Sequence, residues 1–191
     1  MDFKNLLKTR RAVRAFQNRE VPENLIMEII ADSCEAPSGH NKQPWSFIVI
    51  KNKTIMKRIS DESKKNILAL MDEKPGSFLP EFKPIMAHKD FYVFYDAPCL
   101  VYIAGQKEIR SLDIDCTLAA SYFMLSAADR GLGTCWVDFG SIIEDQDLRM
   151  EIGLPDDYRI VATLILGYPE KIPNRPQRKE PVILKFINPQ V

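Results

Sequence analysis

Three arginines lie within five residues near the start of the chain, at Arg10, Arg11 and Arg14. A guanidinium group is permanently charged and planar, and its fork of donors fits the oxygens of a phosphate. A second basic group lies near the other end of the chain, at Arg175, Arg178 and Lys179. Two such groups that converge in the fold could bind one phosphate. A solvated basic turn is the alternative for the first group, and the sequence leaves both interpretations open.

Cysteines and histidines are the other residues with metal-binding or nucleophilic chemistry, at Cys34, Cys99, Cys116, Cys135, His40 and His88. No two cysteines form a CxxC pair, so neither a zinc site nor an iron–sulfur cluster is expected. We predict that the cysteines are small buried hydrophobes. The pair Gly131 and Gly133 lacks the third glycine of GxGxxG because Trp136 stands there, and the GxxxxGK[ST] and GxSxG motifs are absent. The sequence therefore predicts no metal and no side-chain nucleophile.

The overall composition excludes several classes of protein. The chain has 191 residues, with 26 Lys and Arg balanced by 26 Asp and Glu. A protein that covers nucleic acid needs a basic surplus, so a nucleic-acid partner is not expected. No apolar run approaches the roughly 20 residues that span a bilayer, and the N-terminus lacks a signal-peptide core. We predict a single domain over 1–191, without a membrane partner, in the cytoplasm.

Apolar periodicity predicts the elements that position these residues. Four helices are expected, the first ending near Thr9, the second between Pro22 and Pro37, the third over 53–71, and the fourth from 112 to a C-cap at Gly131. Buried strands are expected at 45–50, 97–105 and 159–167. Helices and strands alternate without a strict βαβ rhythm, which favours the α+β class.

The segment 72–96 differs from the rest of the chain. Prolines and a glycine break regular structure there, and six aromatic residues lie between 78 and 95. The segment is either a satellite core under a long loop or a lid over a flat, aromatic ligand. His88 lies in this segment, and we expect it to be a surface residue rather than a proton donor.

Two features suggest a second subunit. The fourth helix is apolar almost all round, and such a helix is buried almost all round. In a chain of this size a second subunit is expected to help to enclose it, although a large core could also do so. The tail over 170–191 is rich in proline and ends in an apolar run at 182–187 with strand propensity. A tail of this kind must dock, and the sheet edge of a partner is a plausible place.

Five motifs resemble those of the nitroreductase family of FMN-dependent oxidoreductases, and they occur in family order over essentially the whole chain. They are RRAVRAF at 10–16, APSGHNKQPW at 36–45, FYDAP at 94–98, GLGTCW at 131–136 and LGYP at 166–169. Each motif alone is weak evidence for the resemblance, whereas five motifs in the same order are strong evidence. Arg178 also stands at the place of the family's final arginine.

The resemblance implies a fold and an assembly. It implies an α+β, three-layer α/β/α sandwich with a mostly antiparallel sheet. It also implies an intertwined homodimer that binds one FMN tightly in each of two interface clefts. The tail over 170–191 would embrace the partner subunit. The segment 72–96 would be the variable segment that selects the acceptor, which gives the lid at least equal weight with the satellite core.

The resemblance also implies site residues. Arg10 and Arg11 would contact the FMN phosphate or ribityl chain. Arg14 would lie beside the N1–O2 edge of the ring, where a cation stabilises the charge that develops on reduction. Ala12 stands where the family usually has serine, so a backbone contact is retained and a hydroxyl contact is lost. Arg178 would complete the phosphate site, with Arg175 as the nearby alternative.

Two loops would close the same site. Pro37, Ser38, Gly39 and Asn41 would come from the opposite subunit. Backbone N–H groups of Val137, Asp138 and Phe139 would approach flavin N5 and O4. The family often has glycine near Asp138 and Phe139, so the register of the contacts around 137–140 stays open.

The implied activity is a ping-pong exchange. NAD(P)H would reduce FMN and leave, and a nitroaromatic, a quinone or a similar acceptor would take its place. One alternative is an enzyme of the same fold with a dedicated substrate, of the dehalogenating or flavin-fragmenting type. Another is a non-catalytic protein that binds or stores FMN. The sequence determines neither the physiological acceptor nor the choice between NADH and NADPH.

Overall fold

The computed structural model describes residues 2–76 and 78–187, and its helices and strands alternate irregularly along the chain. The helices are α1 (Phe3–Thr9), α2 (Glu23–Ser33), α3 (Lys53–Glu73), α4 (Phe82–Ala87), α5 (Leu112–Asp129) and α6 (Gln146–Glu151). The strands are β1 (Ser46–Ile50), β2 (Cys99–Gln106), β3 (Gly133–Trp136) and β4 (Tyr158–Gly167). Short 3₁₀ turns occupy Gly39–Asn41 and Asp138–Gly140. Within these described residues, none of the helices has the length and apolar character that crossing a membrane requires.

Local capping chemistry explains where several helices begin and end. The side chain of Asp2 accepts from the N–H of Asn5 at the start of α1. Asn52 does the same for two N–H groups at the start of α3. Gly131 has a φ of +74° just after α5, and the Leu132 N–H donates to the Ala127 carbonyl at 2.9 Å. This is the left-handed cap that favours glycine, so the predicted end of the fourth helix is confirmed.

The four strands form one sheet in the order β1-β2-β4-β3, and every pair is antiparallel. The central strands β2 and β4 are the two longest. β1 forms where a strand was predicted, but it is an edge strand. Its first three side chains are half-buried, Val49 is 39% exposed and Ile50 alone is buried. β3 was not predicted, because four residues that begin with glycine give too short a pattern to indicate a strand.

Helices cover both faces of the sheet. Alternate residues of β2 point to opposite faces. Cys99, Val101 and Ile103 belong to a core with α2 and α5, whereas Leu100 and Tyr102 belong to a second core that includes residues of α3. The predicted α+β class and three-layer sandwich with an antiparallel sheet are therefore confirmed.

The segment 72–96 is divided between core and surface, and its residue Ser77 lies outside the described residues. Val93 and Phe94 are fully buried in the second core. The buried ammonium group of Lys64 donates to the carbonyls of His88 at 3.1 Å and Phe91 at 2.9 Å. Residues 88–96 are therefore part of the folded body, while the earlier half carries the short helix α4.

The outer side of α5 and the tail remain exposed in the single chain. Ile114 is 67% exposed and Tyr122 is also exposed, so the core of one subunit does not enclose this helix on all sides. Its enclosure by a second subunit stays a prediction. The strand propensity of 182–187 is not realised, since that run is irregular and its apolar side chains are exposed. Residues 188–191 of the predicted tail lie outside the described residues. The homodimer stays a prediction.

Candidate functional site

The segment that carries the first three arginines lies along the edge strand β3. Ala12 forms a parallel bridge with Thr134, and the Val13 N–H donates to the Thr134 carbonyl at 2.9 Å. A side chain at Gly133 would place its Cβ 2.8 Å from the Cβ of Val13, which is closer than real carbon atoms approach. Glycine at this position therefore lets the arginine segment reach the sheet, a physical reason for the second glycine of GLGTCW.

Arg11 is buried and incompletely satisfied. Two of its guanidinium nitrogens donate to backbone carbonyls, to Arg10 at 2.5 Å and to Lys8. Its Nε is buried and has no hydrogen-bond partner within the part of the chain that the structure describes. Burial, followed by the charges of Arg175, Arg10 and Arg178, lowers the pKa of Arg11. The fold thus places Arg175 and Arg178 close enough to Arg11 for their charges to act on it, and a buried donor remains available for an acceptor such as a phosphate oxygen.

Two cavities lie beside this segment. The larger has a volume of about 450 Å³ and is lined by Leu7, Arg10, Ala12, Arg14, Ser121, Met124, Leu125, Cys135 and Trp136. The smaller has a volume of about 180 Å³, and Arg10 and Arg11 line it together with Val13 and the start of β3. Arg10 lines both cavities. Ligand pockets usually have volumes between about 300 and 1,000 Å³, a range that includes the larger cavity.

Arg14 is exposed in the single chain, and its guanidinium carbon lies 5.7 Å from the centre of the Tyr95 ring. Such a contact between a cation and an aromatic face orients the side chain. Tyr95 and Asp96 both have positive φ values, +51° and +54°, which are uncommon for residues other than glycine. The strained turn before β2 therefore presents an aromatic ring to Arg14. Tyr95 was not predicted as a site residue, although it lies in the FYDAP motif.

The 3₁₀ turn Asp138–Gly140 follows β3, and hydrogen bonds to residues of β2 and β4 hold it and the preceding Val137 against the sheet. The Tyr102 hydroxyl donates to the Gly140 carbonyl at 2.6 Å. The Val137 N–H donates to the Thr163 carbonyl at 2.8 Å. This bond removes Val137 from the three backbone donors predicted for a ligand, so the predicted role remains for Asp138 and Phe139.

Phe139 connects this turn to the first half of the segment 72–96. Its ring centre lies 5.0 Å from that of Phe82 in an edge-to-face contact and 6.0 Å from that of Phe78. The departure from glycine at this position therefore has a structural use, because the aromatic side chain packs against the residues predicted to form the lid. The cluster of aromatic residues in 72–96 was the feature of the sequence that could have indicated this contact.

The loop that contains Pro37, Ser38, Gly39 and Asn41 is attached to the start of α5. The Gly39 N–H donates to Asp115 Oδ1 at 3.0 Å, and Asn41 is exposed. The two cavities beside the arginine segment are lined by other residues. The structure therefore brings Arg10, Ala12 and Arg14 to one cavity and places Arg175 and Arg178 near Arg11, but residues 37–41 do not line these cavities. The roles of all these residues toward a ligand stay predictions.

Within residues 2–76 and 78–187, no group of three or more His, Cys, Asp and Glu side chains is arranged to hold a metal ion. The cysteine side chains are buried, except for half-buried Cys34. The predicted burial is confirmed for Cys99, Cys116 and Cys135.

Comparison with known proteins gives consistent matches over nearly the whole chain. The model of the nitroreductase family matches residues 7–168. A protein of Methanothermobacter thermautotrophicus, provisionally named NADH dehydrogenase/NAD(P)H nitroreductase, is 28% identical over 91% of this chain and 80% of its own length. Iodotyrosine deiodinase of Hydra vulgaris is also 28% identical, over 97% of this chain and 73% of its own length.

A solved structure shows the same fold. The nitroreductase of Desulfitobacterium hafniense, crystallised with bound FMN, matches with a TM-score of 0.79 over 97% of each chain, at 21% sequence identity. At that identity the likeness concerns the fold alone. Taken with the family match, which covers most of the chain, it leads to one conclusion: this chain belongs to the nitroreductase family.

Proposed function

We propose that this chain is an FMN-dependent oxidoreductase. It passes electrons from NAD(P)H to nitroaromatic, quinone or similar acceptors by a ping-pong mechanism, as a homodimer with FMN at the subunit interface. The observation that carries the proposal is the buried Arg11 Nε, which lacks a partner among the described residues at the point where both basic groups converge. Membership of the nitroreductase family and the provisional name of the Methanothermobacter relative support the assignment of NAD(P)H as the electron donor.

The residues present fit FMN. A dianionic phosphate would neutralise positive charge at Arg10, Arg11 and Arg178. It would also accept a hydrogen bond from the Arg11 Nε. Arg175 is the neighbouring alternative to Arg178. The larger cavity has room for an extended ring system beside Arg14 and Trp136. FMN, when bound, supplies the hydride and electron transfer, so no side-chain nucleophile is required.

The chain's own residues would bind and orient the cofactor. Arg14 supplies a fixed positive charge beside the ring, and Tyr95 orients that charge. The turn at Asp138 and Phe139 supplies backbone donors whose position depends on Tyr102 and Gly140. Donors that are already oriented stabilise developing charge more than solvent does, because no reorganisation is needed.

A second subunit would complete the site. Ser38, Gly39 and Asn41 lie on a surface loop away from the arginine cavities of their own chain, as expected for residues that serve a partner. The exposed side of α5 and the apolar tail are surfaces that a partner would cover.

The acceptor would bind over the open side of the ring, beside the first half of the segment 72–96. Phe78, Phe82 and Phe139 form an aromatic wall there, and flat aromatic acceptors stack on such rings. This wall is our reason for proposing nitroaromatic and quinone acceptors.

The test begins with the purified, FMN-reconstituted protein. We expect the visible absorbance of bound flavin at one FMN per subunit. We also expect steady-state oxidation of NADH or NADPH when a nitroaromatic or a quinone is added. A protein that never takes up FMN contradicts the cofactor assignment. Bound FMN without turnover of any acceptor contradicts the oxidoreductase assignment and leaves a binding or storage role.

Arg14→Ala provides a sharper prediction. Loss of a charge-assisted contact is expected to weaken FMN binding by about tenfold or more and to make the bound flavin harder to reduce. Binding is measured by fluorescence titration, and the reduction potential by equilibration with a reference dye. Arg19→Ala is the matched control, because Arg19 also lies over a tyrosine ring, that of Tyr168 at 3.7 Å, and lines neither cavity. Equal behaviour of the two variants removes Arg14 from the site.

A further inference from the structure

Asp115 is a buried carboxylate to which the proposed function assigns no role. It lies in the first turn of α5 and is only 2% exposed. Its Oδ1 accepts the Gly39 N–H at 3.0 Å, and its Oδ2 accepts the Ser111 hydroxyl at 2.8 Å. The N-terminal end of a long helix favours a negative charge, which offsets part of the cost of burying this carboxylate.

The loop over 37–43, which Asp115 holds through Gly39, has an unusual backbone. His40, Asn41 and Gln43 have φ values of +53°, +55° and +45°, in the left-handed region that residues other than glycine rarely adopt. Within the loop, the Gln43 N–H donates to Ser38 Oγ at 3.0 Å. Strained backbone persists only where the surrounding structure holds it, and it is concentrated at functional sites. The bond to Asp115 connects this strained loop to the rigid body of the protein.

We propose that Asp115 is a positioning residue that, through Gly39, holds the loop 37–43 in the conformation that completes the FMN site of the partner subunit. The inference rests on the proposed function, because that function makes FMN the ligand and places the loop at the partner's site. Asp115 itself contacts neither the arginine segment nor its cavities. Asp115 therefore affects FMN binding only through the loop. If the loop completes the partner's site, a change at Asp115 weakens FMN binding in the partner subunit and not in its own.

Three variants test the positioning role. In Asp115→Ala the Gly39 N–H loses its acceptor, and we expect FMN binding to weaken by about tenfold. Asp115→Asn keeps an oxygen for Gly39, and the Ser111 hydroxyl can accept from the new amide, so binding should stay within about threefold of the wild type. Asp113→Ala is the matched control, since Asp113 lies in the same turn of α5 but pairs with Arg159 at 2.5 Å.

Hydrogen exchange gives a readout that does not depend on activity. The Gly39 amide should exchange faster in Asp115→Ala than in the wild type or in Asp113→Ala, while amides of β2 should be unchanged. If Asp115→Ala does not fold, Asp115→Ser replaces it, because a serine side chain is too short to reach Gly39. Unchanged exchange at Gly39 together with unchanged FMN affinity overturns the proposal.

A mixed dimer tests whether the loop acts on the partner. Subunits carrying Asp115→Ala and Arg14→Ala are given different affinity tags, co-expressed and purified as the heterodimer. One site then combines an intact Arg14 with an intact loop, and the other has both defects. We expect about half of the wild-type FMN content at a concentration where each variant homodimer binds little. No recovery means that Asp115 acts within its own subunit or only on stability, and it overturns the proposal.

The outcomes separate this inference from the proposed function. A wild-type protein that binds no FMN contradicts the proposed function, whereas an Arg14→Ala variant that binds it normally removes only Arg14 from the site. Normal FMN binding by the wild type, weak binding by Arg14→Ala and wild-type binding by Asp115→Ala contradict only the role of Asp115.

Discussion

Arg11 shows how one side chain can be held in place and still keep a free donor. Two of its nitrogens donate to main-chain carbonyls of its own segment, so the guanidinium plane is oriented without any ligand. The third, Nε, is buried without a partner in the described residues, and the nearby positive charges of Arg175, Arg10 and Arg178 add repulsion. An anion bound there relieves both costs. We therefore propose that phosphate binding stabilises this cluster.

The buried thiols lead to a prediction about reactivity. Burial raises the pKa of Cys99 and of Cys116 to about 12, and it raises the pKa of Cys135. Because only the thiolate reacts readily, these three should be inert in the native protein at about pH 8, whereas half-buried Cys34 should react. A colorimetric thiol reagent should count one cysteine in native protein and four after unfolding. Fast reaction that survives Cys34→Ser contradicts this expectation.

The same pKa values have a consequence for stability. A thiol whose native pKa is raised keeps its proton when the unfolded chain has lost it, so its contribution is complete below the ordinary value of 9.0. This contribution to the stability of the folded state declines as the pH rises from 9.0 towards about 12, the pKa of these thiols in the native protein. Stability against denaturant should therefore fall over this alkaline range.

The 3₁₀ turn Asp138–Gly140 depends on close packing against the sheet. A Cβ at Gly140 would lie 2.4 Å from Cε1 of Phe94, a fully buried ring. We therefore expect Gly140→Ala to cost about 1–3 kcal/mol of unfolding free energy and to weaken FMN binding, because the turn is displaced from Tyr102.

Phe94→Leu provides the control for this clash. Leucine lacks the outer ring atoms, so Gly140→Ala should cost less in that background than in the wild type, even though Phe94→Leu is itself destabilising. Denaturant unfolding of the four proteins of the double-mutant cycle measures the difference. Additive costs would show that the clash with Phe94 is not the cause.

Helices and strands were predictable to different degrees. α1, α2, α3 and α5 have caps or long apolar patterns that lie within their own sequence, and their predicted ends were nearly correct. α4, α6 and β3 have six residues or fewer, which is too short for a period to be recognised. β1 was predicted as buried because its apolar run resembles that of a central strand, whereas its place at the sheet edge depends on the order β1-β2-β4-β3.

The exposed tail leads to a prediction about assembly. Leu184 is 96% exposed in the single chain, within an apolar run that ends at Ile187. If a partner subunit covers this run, Leu184→Glu should weaken the dimer and lower FMN content, while the stability of the monomer stays unchanged. Lys185→Glu is the control, because it also introduces a carboxylate, one position away and with a larger change of net charge, without removing an apolar side chain. Sedimentation velocity over a range of concentrations measures the association, and equal effects of both variants contradict a covered Leu184.

The sequence by itself determined the fold class and the family motifs and made the arginines the candidate site residues, because these inferences depend on residue types and short spacings. Only the tertiary structure showed that Arg175 and Arg178 lie near Arg11, that the Val137 N–H is already used, and that Gly39 is held by Asp115, 76 residues away along the chain. Those contacts depend on how the helices pack on both faces of one sheet. Packing of that kind joins distant segments, and no local pattern of residues records it.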